Sequence, residues 1–271
     1  MNRLAGRVAF ITGAARGQGR SHAVRLAEEG ADIIALDICR QLPSVFDDMS
    51  TKDDLAETKD LVRATGRRIV TGVADVREFD EMEAVYDAGV EALGVPDIIL
   101  RNAGIMPVLD NGDSRAPWYA IDVMLTGVCN TLELTVPGLI ERGTGGSITI
   151  TSSTAGLKGL PLNRSPGQAA YVASKHGVVG LMRLYAALLG EHSIRVNSLH
   201  PTGVNTPMVV NPGFAEFGAQ HPEAFSSVHN ALPIRRIEPI DISNAIVFLA
   251  SEEGRYITGV ALPVDAGLLV L

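Results

Sequence analysis

A single α/β domain, built as a doubly wound parallel sheet flanked by helices, is the fold this sequence predicts, and three observations carry the prediction. Short, nearly continuous apolar runs alternate with stretches of helical periodicity along the whole chain. A glycine cluster follows the first apolar run directly, and no shift in composition marks a second domain. Runs without polar alternation are what strands covered on both faces require, and parallel sheets are covered on both faces. With 271 residues, 46% of them hydrophobic and only 5% aromatic, the chain holds one large core of Val, Ile, Leu and Ala.

The elements follow in order. Residues 8–12 read as the first strand, glycines come next, and a helix is expected over 18–29. Residues 31–37 form the second strand and 68–73 the third. Met82, Val85, Tyr86, Val90 and Leu93 fall at helical spacing over 80–93. Strands at 97–101 and 147–151 flank a helix over 118–140, and a further helix covers 169–189. Residues 194–199, 242–250 and 260–264 complete the alternation as strand, helix and strand. Two segments exceed it. An insertion at about 41–66 has a helical second half that Ser50 or Thr51 caps. The segment 205–233 is rich in Pro, Gly and Phe and lacks periodicity, so it reads as an irregular substrate loop.

Composition removes several function classes. A net charge of −8 without a basic block argues against a nucleic-acid partner. Cys39 and Cys129 have neither metal nor redox spacing and predict buried thiols in a reducing compartment. His192, His200, His221 and His229 form no ligand pattern, so no metal is expected. No eighteen apolar residues run together and no leader precedes the first strand, so neither a membrane span nor export is expected, and a cytoplasmic location is.

The first turn, Thr12-Gly13-Ala14-Ala15-Arg16-Gly17-Gln18-Gly19, lies between a strand and a helix, where a Rossmann-type fold binds a dinucleotide. Gly13 permits the tight turn, while Gly17 and Gly19 let the backbone approach a pyrophosphate that the helix N-terminus attracts. At the end of the second strand, the Asp37 carboxylate suits ribose hydroxyls and repels a 2′-phosphate, which favours NAD. Arg16 and Arg40 pull toward a phosphate. Asp75 either accepts from an adenine amino group or serves as a helix-terminal acid. Asn102-Ala103-Gly104 ends the fourth strand with small residues for the adenosine half, and Asn102 also suits pinning of neighbouring strands. Tyr171 and Lys175, four residues apart, share a helix face, so a cation beside the phenol is expected to lower its pKa toward neutrality.

Glycine turn, strand-end acid, Asn-Ala-Gly, Ser152-Ser153 and Tyr171-Val172-Ala173-Ser174-Lys175 in this order resemble the short-chain dehydrogenase/reductase family over essentially the whole chain. The resemblance implies a catalytic trio of Ser153, Tyr171 and Lys175. It implies cofactor contacts from Gly13, Arg16, Gly17, Gln18, Gly19, Asp37, Ile38, Asp75, Val76 and the Asn102-Ala103-Gly104 run. Thr151, Tyr171, Lys175, Pro201, Gly203, Val204, Thr206 and Met208 would serve the nicotinamide end. Three positions depart from the family pattern: Met124 stands where a relay asparagine is usual, Arg101 replaces an asparagine before Asn102, and Thr202 replaces a glycine after Pro201. The gap between Ser153 and Tyr171 is also longer than usual.

The 41–66 insertion is similar to that of the actinobacterial carveol-dehydrogenase-like, mycofactocin-coupled branch, which implies a tightly held NAD and an external redox partner that re-oxidises bound NADH. The implied reaction is hydride transfer between a small apolar secondary alcohol or ketone and NAD, by a homotetramer. Two alternatives stand beside it: a 3-oxoacyl-carrier-protein reductase and a non-catalytic NAD-binding protein. Leu157, Leu160, Met106, Val108 and Phe214 suggest an apolar pocket.

Overall fold

Seven strands, β1 (Val8–Thr12), β2 (Asp32–Asp37), β3 (Ile69–Val73), β4 (Ile98–Arg101), β5 (Gly146–Thr151), β6 (Ile194–Pro201) and β7 (Ala261–Val264), pair in one parallel sheet of order β3-β2-β1-β4-β5-β6-β7 among the described residues. The structure, a computed structural model, describes residues 2–42, 45, 47–107, 116–226 and 228–271. The helices in chain order are α1 (Gly17–Glu28), α2 (Lys52–Ala64), α3 (Phe79–Leu93), α4 (Ala116–Ile121), α5 (Gly127–Arg142), α6 (Pro166–Leu189), α7 (Pro212–Gln220), α8 (Pro222–Ser226) and α9 (Pro239–Ala250).

The strands explain the double-sided core. Along β1, Val8 and Phe10 enter one hydrophobic cluster while Ala9 and Ile11 enter the other. The first cluster adds Met82 and Tyr86 from α3, Leu132 from α5 and Val178 and Met182 from α6. The second adds Ala23 and Leu26 from α1, Val62 from α2 and Ile242 and Ile246 from α9. Period-two alternation thus serves two apolar layers at once, which is why the strands read as continuous apolar runs. Strand order reverses at β1, whose neighbours are β2 and β4. A crevice opens at the carboxyl ends of β1 and β4, where such sheets place their ligands.

Helix ends are set locally. Thr51 caps α2 with a reciprocal bond to Asp54, and Ser165 caps α6 ahead of Pro166. Asn211 accepts from Phe214 N at 2.8 Å and starts α7, with Pro212 in its first turn. The segment 205–233 therefore contains helices α7 and α8 where irregular chain was expected, because caps and prolines start helices too short to show periodicity. The expected helix over 118–140 is interrupted: a π-helical turn, Asp122–Thr126, separates α4 from α5. The continuous run Trp118–Arg142 is nonetheless long and apolar enough to cross a membrane by composition, which the expectation missed. Half of its most apolar window is buried in this fold, as in the core helix of a globular protein. Cys129, expected to be buried, lies exposed on α5, while its neighbours Val128 and Leu132 face the core.

α1 and α9 meet at a buried polar contact, His22 Nδ1 to Ser243 Oγ at 2.8 Å, while His22 Nε2 is buried without a partner. Burial lowers the His22 pKa to about 3. The native state thus refuses a proton that the unfolded chain takes up below pH ~6.5. Stability is complete above that pH and falls as the pH drops toward 3. Between pH 6.5 and 4.5, urea unfolding should show the wild type losing about 2 kcal/mol more than His22→Gln. Parallel pH slopes for the two proteins would contradict this.

Candidate active site

The crevice is built from backbone first. Gly13 and Gly17 hold φ of +67° and +55°, the left-handed region that a side chain disfavours. A Cβ on Gly13 would press on Ala103 Cα, and one on Gly19 would overlap the Gly13 carbonyl oxygen. Asn102 Nδ2 donates to Thr12 O at 3.2 Å and Gly13 O at 3.0 Å, and Thr12 Oγ1 accepts from the amides of Asn102 and Ala103. Asn102 is therefore a pin between β1 and β4 as well as a lining residue. Gly13, Arg16, Gly17, Gln18, Gly19, Asp37, Ile38, Asp75, Val76, Asn102, Ala103 and Gly104 all line this cleft, joined by Leu42, Met49 and Ser50 from the insertion. Gln18 also borders the second cavity described below, and its Oε1 is buried without a partner.

At the end of β2, Asp37 is buried and accepts from Ala15 N at 2.9 Å and Ser50 Oγ at 2.5 Å. A carboxylate offers about four acceptor positions, so it still has capacity for ribose hydroxyls. Arg16 is tied to Asp47 at 2.9 Å and to the Asp48 carbonyl. Arg40 pairs with Asp75 at 2.8 Å. Both arginines that could have met a 2′-phosphate are thus engaged with carboxylates. Asp75 also takes Arg77 Nη2 at 2.6 Å. Burial raises its pKa, but the bonds from Arg77 and Arg40 outweigh that and hold it below the usual carboxylate range. Its oxygens are filled by guanidinium donors, which leaves the adenine-acceptor reading without a free position.

The catalytic candidates converge at the end of β5. Ser153 begins a 3₁₀ turn, Thr154–Gly156, and its Oγ accepts from Ala155 N at 3.1 Å. Its hydroxyl acts on Tyr171 by lowering the phenol pKa, and the Tyr171 ring centroid lies 5.7 Å from Lys175 Nζ. Lys175 Nζ donates to Thr151 O at 3.0 Å, and Ser152 Oγ donates to Lys175 O at 2.8 Å, tying α6 to β5. A Cβ on Gly156 would overlap that same Lys175 carbonyl, so α6 approaches the turn as closely as backbone allows. Burial pushes the Tyr171 phenol above its ordinary pKa, and Ser153 opposes it only in part. The expected fall toward neutrality is absent. The physical reason lies in Lys175, which burial and then Arg101 lower to about 7, so its charge is itself weakly held.

Arg101 and Met124, two of the departures from the family pattern, meet at the same turn. Arg101 is buried at the end of β4 and donates through Nη1 to Ala103 O and through Nη2 to Val123 O, inside the π-helical turn. Its Nε finds no partner, and burial brings its pKa down to about 9. Met124 is buried in the same turn, beside Gly104. A guanidinium and a thioether thus occupy the floor beneath Lys175.

Beyond the trio lies a cavity of about 350 Å³. Thr151, Ser153, Tyr171, Lys175, Pro201, Gly203, Val204, Thr206 and Met208 border it with Met106, Leu160 and Phe214. Leu157, expected in the apolar wall, is 37% exposed and does not line it. Val108 lies outside the described residues. Sequence reasoning missed three contributors. His200 donates from Nδ1 to Ser153 O at 2.7 Å, and its Nε2 accepts from Ser198 Oγ at 2.8 Å. Burial lowers its pKa, so a neutral ring positions the serine. Gln168 is buried, donates to Leu160 O at 2.6 Å and presents an unpartnered Oε1 among the lining residues. Thr202 Oγ1 donates to Asn230 Oδ1 at 2.8 Å, a bond that the usual glycine could not make. His200 left a signal in its place immediately before Pro201, and Thr202 in its departure from the usual glycine, whereas Gln168 left none.

A sequence-family model described as enoyl-(acyl carrier protein) reductase matches residues 13–269. A Mycolicibacterium smegmatis protein described as a short-chain type dehydrogenase/reductase is 52% identical, covering 99% of both chains. The (-)-trans-carveol dehydrogenase of Rhodococcus erythropolis is 47% identical, covering 98% of this chain and 99% of its own. The crystal structure of carveol dehydrogenase from Mycobacterium avium in complex with NAD superposes with a TM-score of 0.90 at 47% identity, covering 100% of both chains.

Proposed function

Because the chain belongs to the short-chain dehydrogenase/reductase family, we propose that Ser153, Tyr171 and Lys175 move the proton while a hydride passes between a secondary alcohol, or its ketone, and NAD. The protein is an NAD-dependent oxidoreductase acting on CH–OH donors. One observation carries the assignment of roles: Ser153, Tyr171 and the buried Lys175 together border a cavity that adjoins the glycine cleft at Gln18, Asn102 and Gly104.

The residues present fit the dinucleotide. Side chains are excluded where Gly13 and Gly19 meet their neighbours, Asp37 keeps acceptor capacity, and the nearby Arg16 and Arg40 are spent on carboxylates. Gly17 and Gln18 open α1, whose N-terminal amides suit the pyrophosphate. Pro201, Gly203, Val204, Thr206 and Met208 would hold the nicotinamide end. When bound, that ring accepts or gives the hydride at its C4.

In the oxidative direction the substrate hydroxyl sits against Ser153 Oγ and Tyr171 Oη. Tyr171 phenolate takes the hydroxyl proton as the carbon loses hydride, and Ser153 donates a hydrogen bond that orients the oxygen. Lys175 favours the phenolate while protonated. Burial and then Arg101 lower its pKa to about 7, so its hold on that charge weakens near neutral pH. Met124 carries no proton.

The substrate is a small alcohol with an apolar body, in keeping with Met106, Leu160 and Phe214. The carveol-dehydrogenase relatives favour a cyclic terpenoid alcohol. Leu42, Met49 and Ser50 beside the adenosine end support slow release of NAD, and with it an external acceptor that re-oxidises NADH. Trp118 on α4 and Leu184 and Leu188 on α6 are more than half exposed, which supports pairing of subunits through these helices into a tetramer in the cytoplasm. A 3-oxoacyl-carrier-protein reductase finds no support in arginines that are already engaged.

Purified protein, denatured and analysed by mass spectrometry, should release NAD. The same preparation should oxidise cyclic secondary alcohols with an artificial electron acceptor. Protein that releases no nicotinamide nucleotide overturns tight retention, and absence of alcohol oxidation with both added NAD and acceptor overturns the assigned chemistry.

A further inference from the structure

The substrate cavity has an unbalanced wall. The chain carries 31 acidic and 23 basic residues, yet among the described residues no Asp or Glu lines this cavity, whereas Arg235 and Arg236 both do. Among the described residues neither guanidinium has a carboxylate within ion-pair distance. Among the described residues, the one side-chain hydrogen bond from either is Arg236 Nη2 to Val209 O, at 3.4 Å. Two adjacent cations at one cavity repel each other and want an anion, and burial and then Arg235 already weaken the hold of Arg236 on its proton.

The pair is held in place by backbone. Ile237 N donates to Gly203 O at 3.0 Å and Asn205 N to Ile237 O at 2.8 Å, so residues 235–237 run alongside 203–205 with a parallel bridge at Val204 and Ile237. Asn230 Nδ2 donates to Ile234 O at 2.9 Å, while its Oδ1 takes the Thr202 hydroxyl. The turn bearing the arginines is thereby fastened to the segment that follows β6. The wall also carries an apolar portion, formed by Met106, Leu162, Val209, Phe214, Val228 and Leu268. A chamber with a proton-transfer group on one wall and, on another, an exposed Arg235 beside a half-buried Arg236 on a fastened backbone turn fits a ligand with three parts: a reacting hydroxyl, a hydrocarbon body and a carboxylate.

We infer that Arg235 and Arg236 form an anion subsite that selects a secondary alcohol, or its ketone, carrying a carboxylate on its apolar body. The inference rests on the alcohol-oxidoreductase reading and narrows its substrate class. A guanidinium binds a carboxylate bidentately, and such charge-assisted bonds discriminate strongly once water is displaced. The same chemistry would also serve a cofactor phosphate, and the test separates the two.

Kcat/KM is measured for a cyclohexanol carrying a ring carboxylate and for its methyl ester, with NAD and an artificial acceptor. In parallel, the rise in Tm is recorded for each compound in the presence of NAD. The acid should exceed the ester by roughly tenfold to a hundredfold, and in Arg235→Met/Arg236→Met the acid-to-ester ratio should fall to about one. Arg236→Lys should keep part of the preference, as a cation without the planar fork. Equal handling of acid and ester by the wild type, in turnover or in Tm, overturns the inference. So does a double variant whose NAD affinity drops while its acid-to-ester ratio holds, since the anion would then belong to the cofactor. If the protein oxidises no alcohol but its Tm still favours the acid, the oxidoreductase reading fails and the subsite stands.

Discussion

Tyr171→Phe should lower kcat for alcohol oxidation by about 10²- to 10⁴-fold, the usual contribution of a positioned general acid or base. The change removes one oxygen from a side chain on α6 and keeps its ring packing, so the fold should persist. The proposed nucleotide site is the glycine turn, Asp37 and the segment after β6, so NAD affinity should stay within a few-fold of wild type. The measurement is steady-state turnover beside NAD titration. Wild-type kcat in this variant would remove Tyr171 from the chemistry, and joint loss of turnover and NAD binding would point to a collapsed site. Ser153 lowers the phenol pKa against the larger effect of burial. Ser153→Ala should therefore cut turnover as well and move the rising, acid-side limb of the alcohol-oxidation pH profile upward.

Gly19→Ala should damage both the fold and NAD binding. The new Cβ would overlap the Gly13 carbonyl oxygen and crowd Asn102 Nδ2, and neither can withdraw: one is backbone in a left-handed turn, the other the pin between β1 and β4. Overpacking of this kind costs about 1–3 kcal/mol, and the turn it displaces is the phosphate cradle, so NAD affinity should fall at least about tenfold. Gly180→Ala on α6 is the matched control. Nothing lies within 4 Å of its built Cβ, and a helix-interior Gly-to-Ala change should raise stability by about 0.5–1 kcal/mol. Calorimetry with and without NAD distinguishes the two. A Gly19→Ala protein as stable and as tightly binding as wild type would mean that the β1 turn adopts another path.

Much of this arrangement was legible in the sequence, for identifiable reasons. The strands of a doubly wound sheet are buried on both faces, so Ile33 to Leu36 reads as apolar whichever core each residue enters. The glycine turn, Asp37 and the Ser153–Tyr171–Lys175 set could be placed because each lies at the end of such a strand or on the helix after it. What stayed hidden depends on contacts between distant segments. Asn230 reaching Thr202, or Arg235 standing over the cavity, leaves no periodic trace. Whether Arg16 and Arg40 were free for a phosphate depended on Asp47 and Asp75 as partners. The lowering of the Tyr171 pKa was misjudged because spacing on a helix says nothing about desolvation. The π-helical turn was hidden because its residues are ordinary helix formers, and only the widened hydrogen-bond ladder reveals it.

That turn carries a consequence for insertions and deletions in this part of the chain. A π-helical turn is an α-helix holding one residue more than its ladder needs. Deleting one residue between Asp122 and Thr126 would restore the α repeat and rotate everything before it by about 100° relative to α5. Val123 O would then turn away from the buried guanidinium that it accepts from, and Arg101 would be left with Ala103 O alone. Chain length at the turn and the identity of position 101 are thus a matched pair: a homologue with the shorter helix has reason to carry a small neutral residue in place of the arginine, and one with the arginine has reason to keep the extra residue.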